Sequence, residues 1–303
     1  MTQRTPQDPL NLAIGPVVDA LRTLRETSLA LRQRAANPPR LPSRPVLRDI
    51  VQGLAMALYP NRLGPGEQTP EGIDFYVGHQ LDSSLRLLIG QVRRELFFTA
   101  EQQGQTPDRT AIGEVAAARV QAFVKTLPAL RAILDTDLAA AYEGDPAARS
   151  MDEVLVCYPG ISAIINHRLA HELYALDLPL VARMIAEIAH SETGIDIHPG
   201  ARIGRSFFID HGTGVVIGET AVIGERVRLY QQVTLGAKRF PADDQGVLIK
   251  GHERHPIVED DVVIYAGATL LGRITIGRGS TIGGNVWLTH SVPPGSTVAQ
   301  SPS

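Results

Sequence analysis

The chain has 303 residues, 44% of them apolar and 20% charged, with a formal net charge of −3, which suits two soluble domains with cores of their own. That charge balance leaves no footprint of a nucleic-acid partner, no apolar run approaches the ~20 residues of a membrane span, and the opening MTQRTPQDPL lacks the basic start and apolar core of a secretion signal. The single cysteine, Cys157, excludes an internal disulfide and fits a cytoplasmic protein.

In chain order, residues 1–44 form an arm, either a loosely attached helix or partly disordered. The stiff tract Asn37-Pro38-Pro39-Arg40-Leu41-Pro42 sets it off from the rest. Residues 45–192 read as an all-α domain. Leu47, Ile50, Val51, Leu54 and Leu58 make one apolar stripe over 46–59, stopped by Pro60. Val77, Leu81, Leu85, Leu88, Val92 and Leu96 make a second over 75–99. Further helices are expected at 109–142, around Val120, Phe123, Val124 and Leu127, at 160–175, around Ile161, Ile165, Leu169 and Leu173, and at about 178–190.

From 193 to 292 the pattern changes to a period of six. Aliphatic residues fall at Ile197, Ile203, Ile209, Ile217, Ile223, Leu229, Leu235, Val258, Ile264, Leu270, Ile276, Ile282 and Leu288. A small or β-branched residue often stands two places earlier, as at Ala201, Val215, Ala221, Ala268 and Ser280. This is the signature of a solenoid of short strands and turns, each hexapeptide one side of a triangular prism. Thirteen such positions give four coils and a fraction, followed by a tail at 293–303.

The period breaks twice. The first break, Asp210-His211-Gly212-Thr213-Gly214, pushes a turn outward. A histidine there suits a general base, because an imidazole titrates near neutrality; a surface histidine bonded to Asp210 is the plain alternative. The second break, Gly236 to Glu253, is a polar loop ending in Arg254-His255-Pro256, either functional or a tolerated insertion. Asp196 lies fifteen residues before His211, so a coil of about eighteen could bring a carboxylate near the imidazole.

These residues also resemble a family. Ile195-Asp196-Ile197-His198-Pro199-Gly200-Ala201, Ile209-Asp210-His211-Gly212-Thr213-Gly214, Val216-Ile217-Gly218-Glu219-Thr220, Val233-Thr234-Leu235-Gly236 and Arg254-His255-Pro256 closely resemble bacterial serine O-acetyltransferases. The likeness runs back through Asp145-Pro146-Ala147 and His167-Arg168-Leu169-Ala170-His171. Cys157-Tyr158-Pro159-Gly160 and the long N-terminal half resemble the longer-chain subgroup.

The resemblance implies an α+β, two-domain protein, with a helical domain followed by a left-handed parallel β-helix, an exception to right-handed crossovers. It implies direct transfer of acetyl from acetyl-CoA to the hydroxyl of L-serine, for cysteine synthesis. His211 matches the general base and Asp196 its carboxylate partner. Asp145 and Asp210 match the acids that hold the substrate ammonium, Arg254 the carboxylate clamp, and His255 a second orienting histidine. CoA would follow coil backbone near Gly236, Ala237, Ala266 and Thr281. Homotrimers with sites between prisms, paired through their helical domains, and feedback inhibition by L-cysteine also come with it. The ending Val298-Ala299-Gln300-Ser301-Pro302-Ser303 lacks the terminal Ile that family members insert into cysteine synthase, which counts against that complex.

Other readings stand beside this one: a hexapeptide acetyltransferase for another hydroxyl, a γ-type carbonic anhydrase using His211, His252 and His255, or a non-catalytic scaffold. No metal is expected. His167 and His171, an i, i+4 pair, lack an evident third ligand and read as packing. Cys157 has no activating motif for a covalent acetyl-enzyme and reads as core or interface packing. Trp287 reads as a coil or subunit contact.

Overall fold

The computed structural model describes residues 14–31, 39–66, 69–106, 108–239, 243–244, 246–249 and 251–300. Helix α1 (Ile14–Leu31) buries none of its residues and leaves Val17, Leu21 and Leu24 exposed. Then come α2 (Arg44–Leu58), α3 (Pro60–Leu63), α4 (Pro70–Gln102), α5 (Arg109–Gly144), α6 (Met151–Cys157), α7 (Pro159–Ala175) and α8 (Pro179–Thr193). Asn37 and Pro38 of the proline tract lie outside the described residues, and Pro39 to Pro42 are irregular.

The caps explain the helix starts. Proline opens α2, α3, α4, α7 and α8, where its missing N–H costs nothing. Pro60 therefore ends α2 and starts one further turn. The side chains of Thr69 and Asp108 accept from the N–H groups of Gly72 and Thr110. Helix α6 was not anticipated, although Ser150 and Glu153 announce it: Ser150 Oγ accepts from the Glu153 N–H, and Glu153 Oε2 accepts from the Arg149 N–H. Two caps are tertiary. Gln91 accepts from the Ser43 N–H at the start of α2. Glu95, buried on α4, accepts from the N–H groups of Leu180 and Val181 at 2.7 and 2.8 Å, placing a carboxylate on the positive end of α8. Burial raises the pKa of Glu95 and those two donors oppose the rise.

Among the described residues fourteen short strands form three parallel faces of a prism. Face A holds β1 (Asp196–Ile197), β4 (Val216–Ile217), β7 (Thr234–Gly236), β10 (Thr269–Leu271) and β13 (Trp287–Leu288). Face B holds β2 (Arg202–Ile203), β5 (Val222–Ile223), β8 (Ile257–Val258) and β11 (Thr275–Ile276). Face C holds β3 (Phe208–Ile209), β6 (Arg228–Leu229), β9 (Val263–Ile264), β12 (Thr281–Ile282) and β14 (Thr297–Val298). The phased aliphatic residues point inward, and all but Ile203 are buried. Each contributes roughly 1.5–3 kcal/mol. The small residues two places earlier, such as Ala201, Val215 and Ala268, are fully buried too and bring the coils close. Strand β14 continues face C beyond residue 292, in the segment read as a tail.

Both breaks lie at prism corners. Ile209 pairs with Leu229 and Val216 with Thr234, so Asp210 is level with Tyr230 and Gly214 with Gln232. Three residues lie between Asp210 and Gly214 where one lies between Tyr230 and Gln232, leaving His211-Gly212 as a bulge at the C–A corner. Gly236 pairs with Leu271 and Ile257 with Thr275. Twenty residues separate the first of each pair where three separate the second, so the long loop leaves from the A–B corner.

One ion pair ties the helices to the first coil. Arg168 of α7 grips Asp137 of α5 through two bonds of 2.7 and 2.9 Å, with both side chains buried. The guanidinium also donates to the carbonyls of Ile203 and Gly204, and Asp137 accepts the Phe207 N–H. Burial raises the pKa of Asp137 and the Arg168 bonds pull it back. Every pole of this buried pair is satisfied, the condition under which it is tolerated.

Candidate active site

At the C–A corner, β3 delivers Asp210 and the bulge delivers His211. Helix α7 reaches this strand because residue 160 is glycine: a Cβ there would stand 2.4 Å from the carbonyl oxygen of Ile209. His211 has φ of +61°, and its side chain is 70% exposed. Its Nδ1 lies 3.5 Å from Asp210 Oδ1, while Asp210 Oδ2 accepts from Arg228 at 2.7 Å. Arg228 lies over the rings of Phe208 and Tyr230, and Tyr230 stacks on Tyr265. Asp145, just past the end of α5, accepts from the Tyr158 hydroxyl at 2.5 Å and from the Ala147 N–H. The Tyr158 bond, then the Ala147 bond, and the charges of Arg228 and His211 hold its carboxyl below the usual range. The same bond pushes Tyr158 up to about 12. The corner thus presents two carboxylates beside an imidazole.

The A–B corner is cationic and tightly held. Arg254 donates to Glu219 at 2.6 Å, and Glu219 also accepts from the Tyr174 hydroxyl. His255 lies over Gly218, where a Cβ would stand 2.0 Å from its ring. Thr220 organises the rest. Its Oγ1 accepts from the N–H groups of Arg254 and His255, and both its N–H and its hydroxyl face His255 Nδ1 at 3.0 and 2.9 Å. With Nδ1 accepting, the neutral ring carries its proton on Nε2. Burial, followed by the Arg254 charge, lowers the pKa of His255 to about 4. His198 lies at the same corner, its own pKa lowered by burial and then by Arg183. Its Nδ1 accepts from the Gly200 N–H, and its ring meets Tyr174 edge to face.

The structure brings together Asp145, Asp210 and His211, and separately Arg254 and His255. Within one chain these two groups sit at adjacent corners, roughly 15–20 Å apart by strand rise. Asp196 and His211 share no hydrogen bond or ion pair among the described residues. Asp196 instead lies beside Glu187 and His190, the one cluster of three or more acidic, histidine or cysteine side chains among the described residues whose ligand atoms converge within 4.8 Å. Glu187 is already paired with Arg183 there. The residues expected to follow CoA are divided likewise, with Gly236 and Ala237 at the A–B corner, Ala266 at the C–A corner and Thr281 on face C. His252 bonds to the Ile249 carbonyl in the long loop, so His211, His252 and His255 do not gather within the chain. His167 is buried with Nδ1 unpartnered, and His171 Nδ1 donates to the Pro199 carbonyl. Cys157 is exposed, so of its two readings, core or interface packing, the core one falls. Trp287 is 70% exposed on face A.

Sequence reasoning missed Tyr158, Arg228, Tyr174, Glu219 and Thr220 as supports. Glu219-Thr220 directly follow the hexapeptide Ile217-Gly218, but nothing in the period distinguishes a turn that braces a distant loop from one that does not.

A model of the family described as "Bacterial transferase hexapeptide (six repeats)" matches residues 255–290. The chain is 61% identical over 263 residues to a Synechococcus elongatus protein named "Serine acetyltransferase, plasmid", covering 86% of this chain and 82% of that one. It is 49% identical over 166 residues to the serine acetyltransferase of Mycobacterium tuberculosis, covering 55% and 69%. Among solved structures, Entamoeba histolytica serine acetyltransferase 1 in complex with L-cysteine superposes with a TM-score of 0.72 at 35% identity, over 94% of this chain and 98% of that one. Neisseria gonorrhoeae serine acetyltransferase in complex with serine gives 0.54 at 30% identity, over 85% and 95%.

Proposed function

The chain belongs to the serine acetyltransferase family, and from that premise we propose a mechanism in which acetyl passes directly from acetyl-CoA to the hydroxyl of L-serine. His211 takes the hydroxyl proton as the serine oxygen attacks the thioester carbonyl. The carbon–sulfur bond then breaks, and the CoA sulfur leaves and regains a proton. Asp145 and Asp210 receive the substrate ammonium. Arg254 exchanges Glu219 for the substrate carboxylate, which suits a planar guanidinium. His255 donates from Nε2 and does not compete for the proton. Asp196 orients the His211 imidazole once substrate has turned it inward.

The division of charge between two corners carries this reading. A zwitterion needs an anionic and a cationic anchor on either side of a base, and each chain presents the two on different edges of its prism. A homotrimer, in which the C–A corner of one copy meets the A–B corner of the next, completes the set. Exposed Trp287 suits such a contact, and paired trimers follow through the helical domains. CoA then runs between prisms past Gly236, Ala237, Ala266 and Thr281. L-Cysteine, with the same ammonium and carboxylate as serine, is the proposed feedback inhibitor at this site. Acetyl-CoA supply and the lone cysteine favour the cytoplasm; no described helix is long and apolar enough to cross a membrane.

Release of free thiol from acetyl-CoA against a panel of amino-acid and sugar hydroxyls tests the proposal. Serine-dependent release is expected. Turnover with another acceptor and none with serine would replace the substrate.

A further inference from the structure

Away from the solenoid, Pro39, Arg40, Arg93, Arg94, Phe97 and Arg109 line a groove of about 330 Å³. Its four arginines come from three segments: the stretch before α2, the third quarter of α4 and the first residue of α5. Among the described residues no acidic side chain lines it. Arg40, Arg93 and Arg109 have no hydrogen-bond or ion-pair partner among the described residues, and Arg94 has only a 3.5 Å bond to the Leu41 carbonyl. Elsewhere in the helical domain Arg48, Arg62, Arg86 and Arg131 each meet a carboxylate at 2.7–2.8 Å. The contrast singles out the groove in a chain whose net charge is −3.

Four guanidinium groups around one concavity repel each other until an anion arrives. They exceed what one carboxylate needs, and their planar forks match phosphate oxygens two at a time. Phe97 adds a partly buried ring, a surface on which a flat base can lie, and neighbouring arginines stack on bases as well. The volume lies at the small-ligand end of the usual range for binding sites.

We propose that this groove binds a phosphate-rich small molecule of the nucleotide class, at a site distinct from that of acetyl-CoA. Isothermal titration of the full-length protein with ATP tests it, and the arginine variant below separates this groove from the acetyl-donor site. Saturable ATP binding is expected, tighter than tripolyphosphate and far tighter than adenosine. Arg93→Glu with Arg109→Glu should weaken it by about tenfold or more, the scale of lost charge-assisted bonds. Acetyl transfer to serine without ATP should match the unaltered protein, which shows that the variant folds. Absence of saturable binding, or equal affinity in the variant, would overturn the site. Tripolyphosphate binding as tightly as ATP would overturn the nucleotide assignment. A variant that changes oligomeric state while its ATP affinity stays the same would assign the arginines to a contact between copies instead.

Discussion

At the C–A corner an imidazole stands 70% exposed on a two-residue bulge, its nearest carboxylate 3.5 Å away. At the A–B corner another imidazole is 6% exposed, fixed through Nδ1 by both donors of Thr220 and pressed onto Gly218. The first ring is exposed and only lightly held, whereas the second is held in one tautomer and kept neutral. The same repeat therefore builds an open corner by adding residues that the coil does not pair, and a rigid corner by bracing a loop against a turn one coil away. The rigid corner also carries a cation that a carboxylate already holds, so in the proposed mechanism a substrate carboxylate gains its place by exchange.

Removing the reactive ring gives the largest effect. His211→Ala should lower turnover by about 10²–10⁴-fold with a smaller change in KM for serine, read by thiol release. If the corners of different copies form one site, refolding His211→Ala chains together with Arg254→Ala chains should restore part of the activity that neither has alone. No restoration would show that each site is complete within one chain.

The helices and the first coil share the Asp137–Arg168 pair. Asp137→Ala leaves the Arg168 guanidinium buried and unpaired, and should cost roughly 3–5 kcal/mol of stability by denaturant unfolding. A loss under 1 kcal/mol would mean that the helices and first coil are held by packing alone.

Thr220→Val removes the hydroxyl that accepts from Arg254 and His255 and faces His255 Nδ1. KM for serine should rise by about tenfold, the scale of one or two hydrogen bonds, with kcat less affected, and Thr220→Ser should recover most of the loss. An NMR titration should show the His255 pKa moving up from about 4 in the valine variant. A kcat loss with unchanged KM would move Thr220 out of a substrate-positioning role.

The smallest effect is on stability against pH. The folded-state pKa of His255, about 4, lies below the ~6.5 of an unfolded chain. The unfolded chain therefore binds more protons between those values, and the stability present above pH 6.5 falls as pH drops toward 4. His255→Gln should flatten that limb of Tm against pH, and an unchanged limb would assign the acid loss to other groups.

Much of this molecule was legible from residue order. The inward set Ile197 to Leu288 and the small residues beside it emerged from a period of six, since a coil of three hexapeptides leaves one side chain per face to fill the axis. Helices α2, α4, α5, α7 and α8 were visible as apolar stripes. Helix α6 was missed because seven residues are too few to show a period. Cys157 ends that helix at the surface, which removes the core half of its reading and leaves interface packing.

The sequence by itself determined the scaffold and singled out His211, Arg254 and His255, because a strict repeat makes its own interruptions conspicuous. Only the tertiary structure decided which of them meet. Coiling sets residues about eighteen apart in sequence one above another and puts those six apart on different faces, so Asp210 gains Arg228, while the docking of α8 on β1 sets Asp196 beside Glu187 and His190. It likewise decided that Thr220 fixes the His255 tautomer, a contact across thirty-five residues that depends on how far an irregular loop travels before the coil resumes.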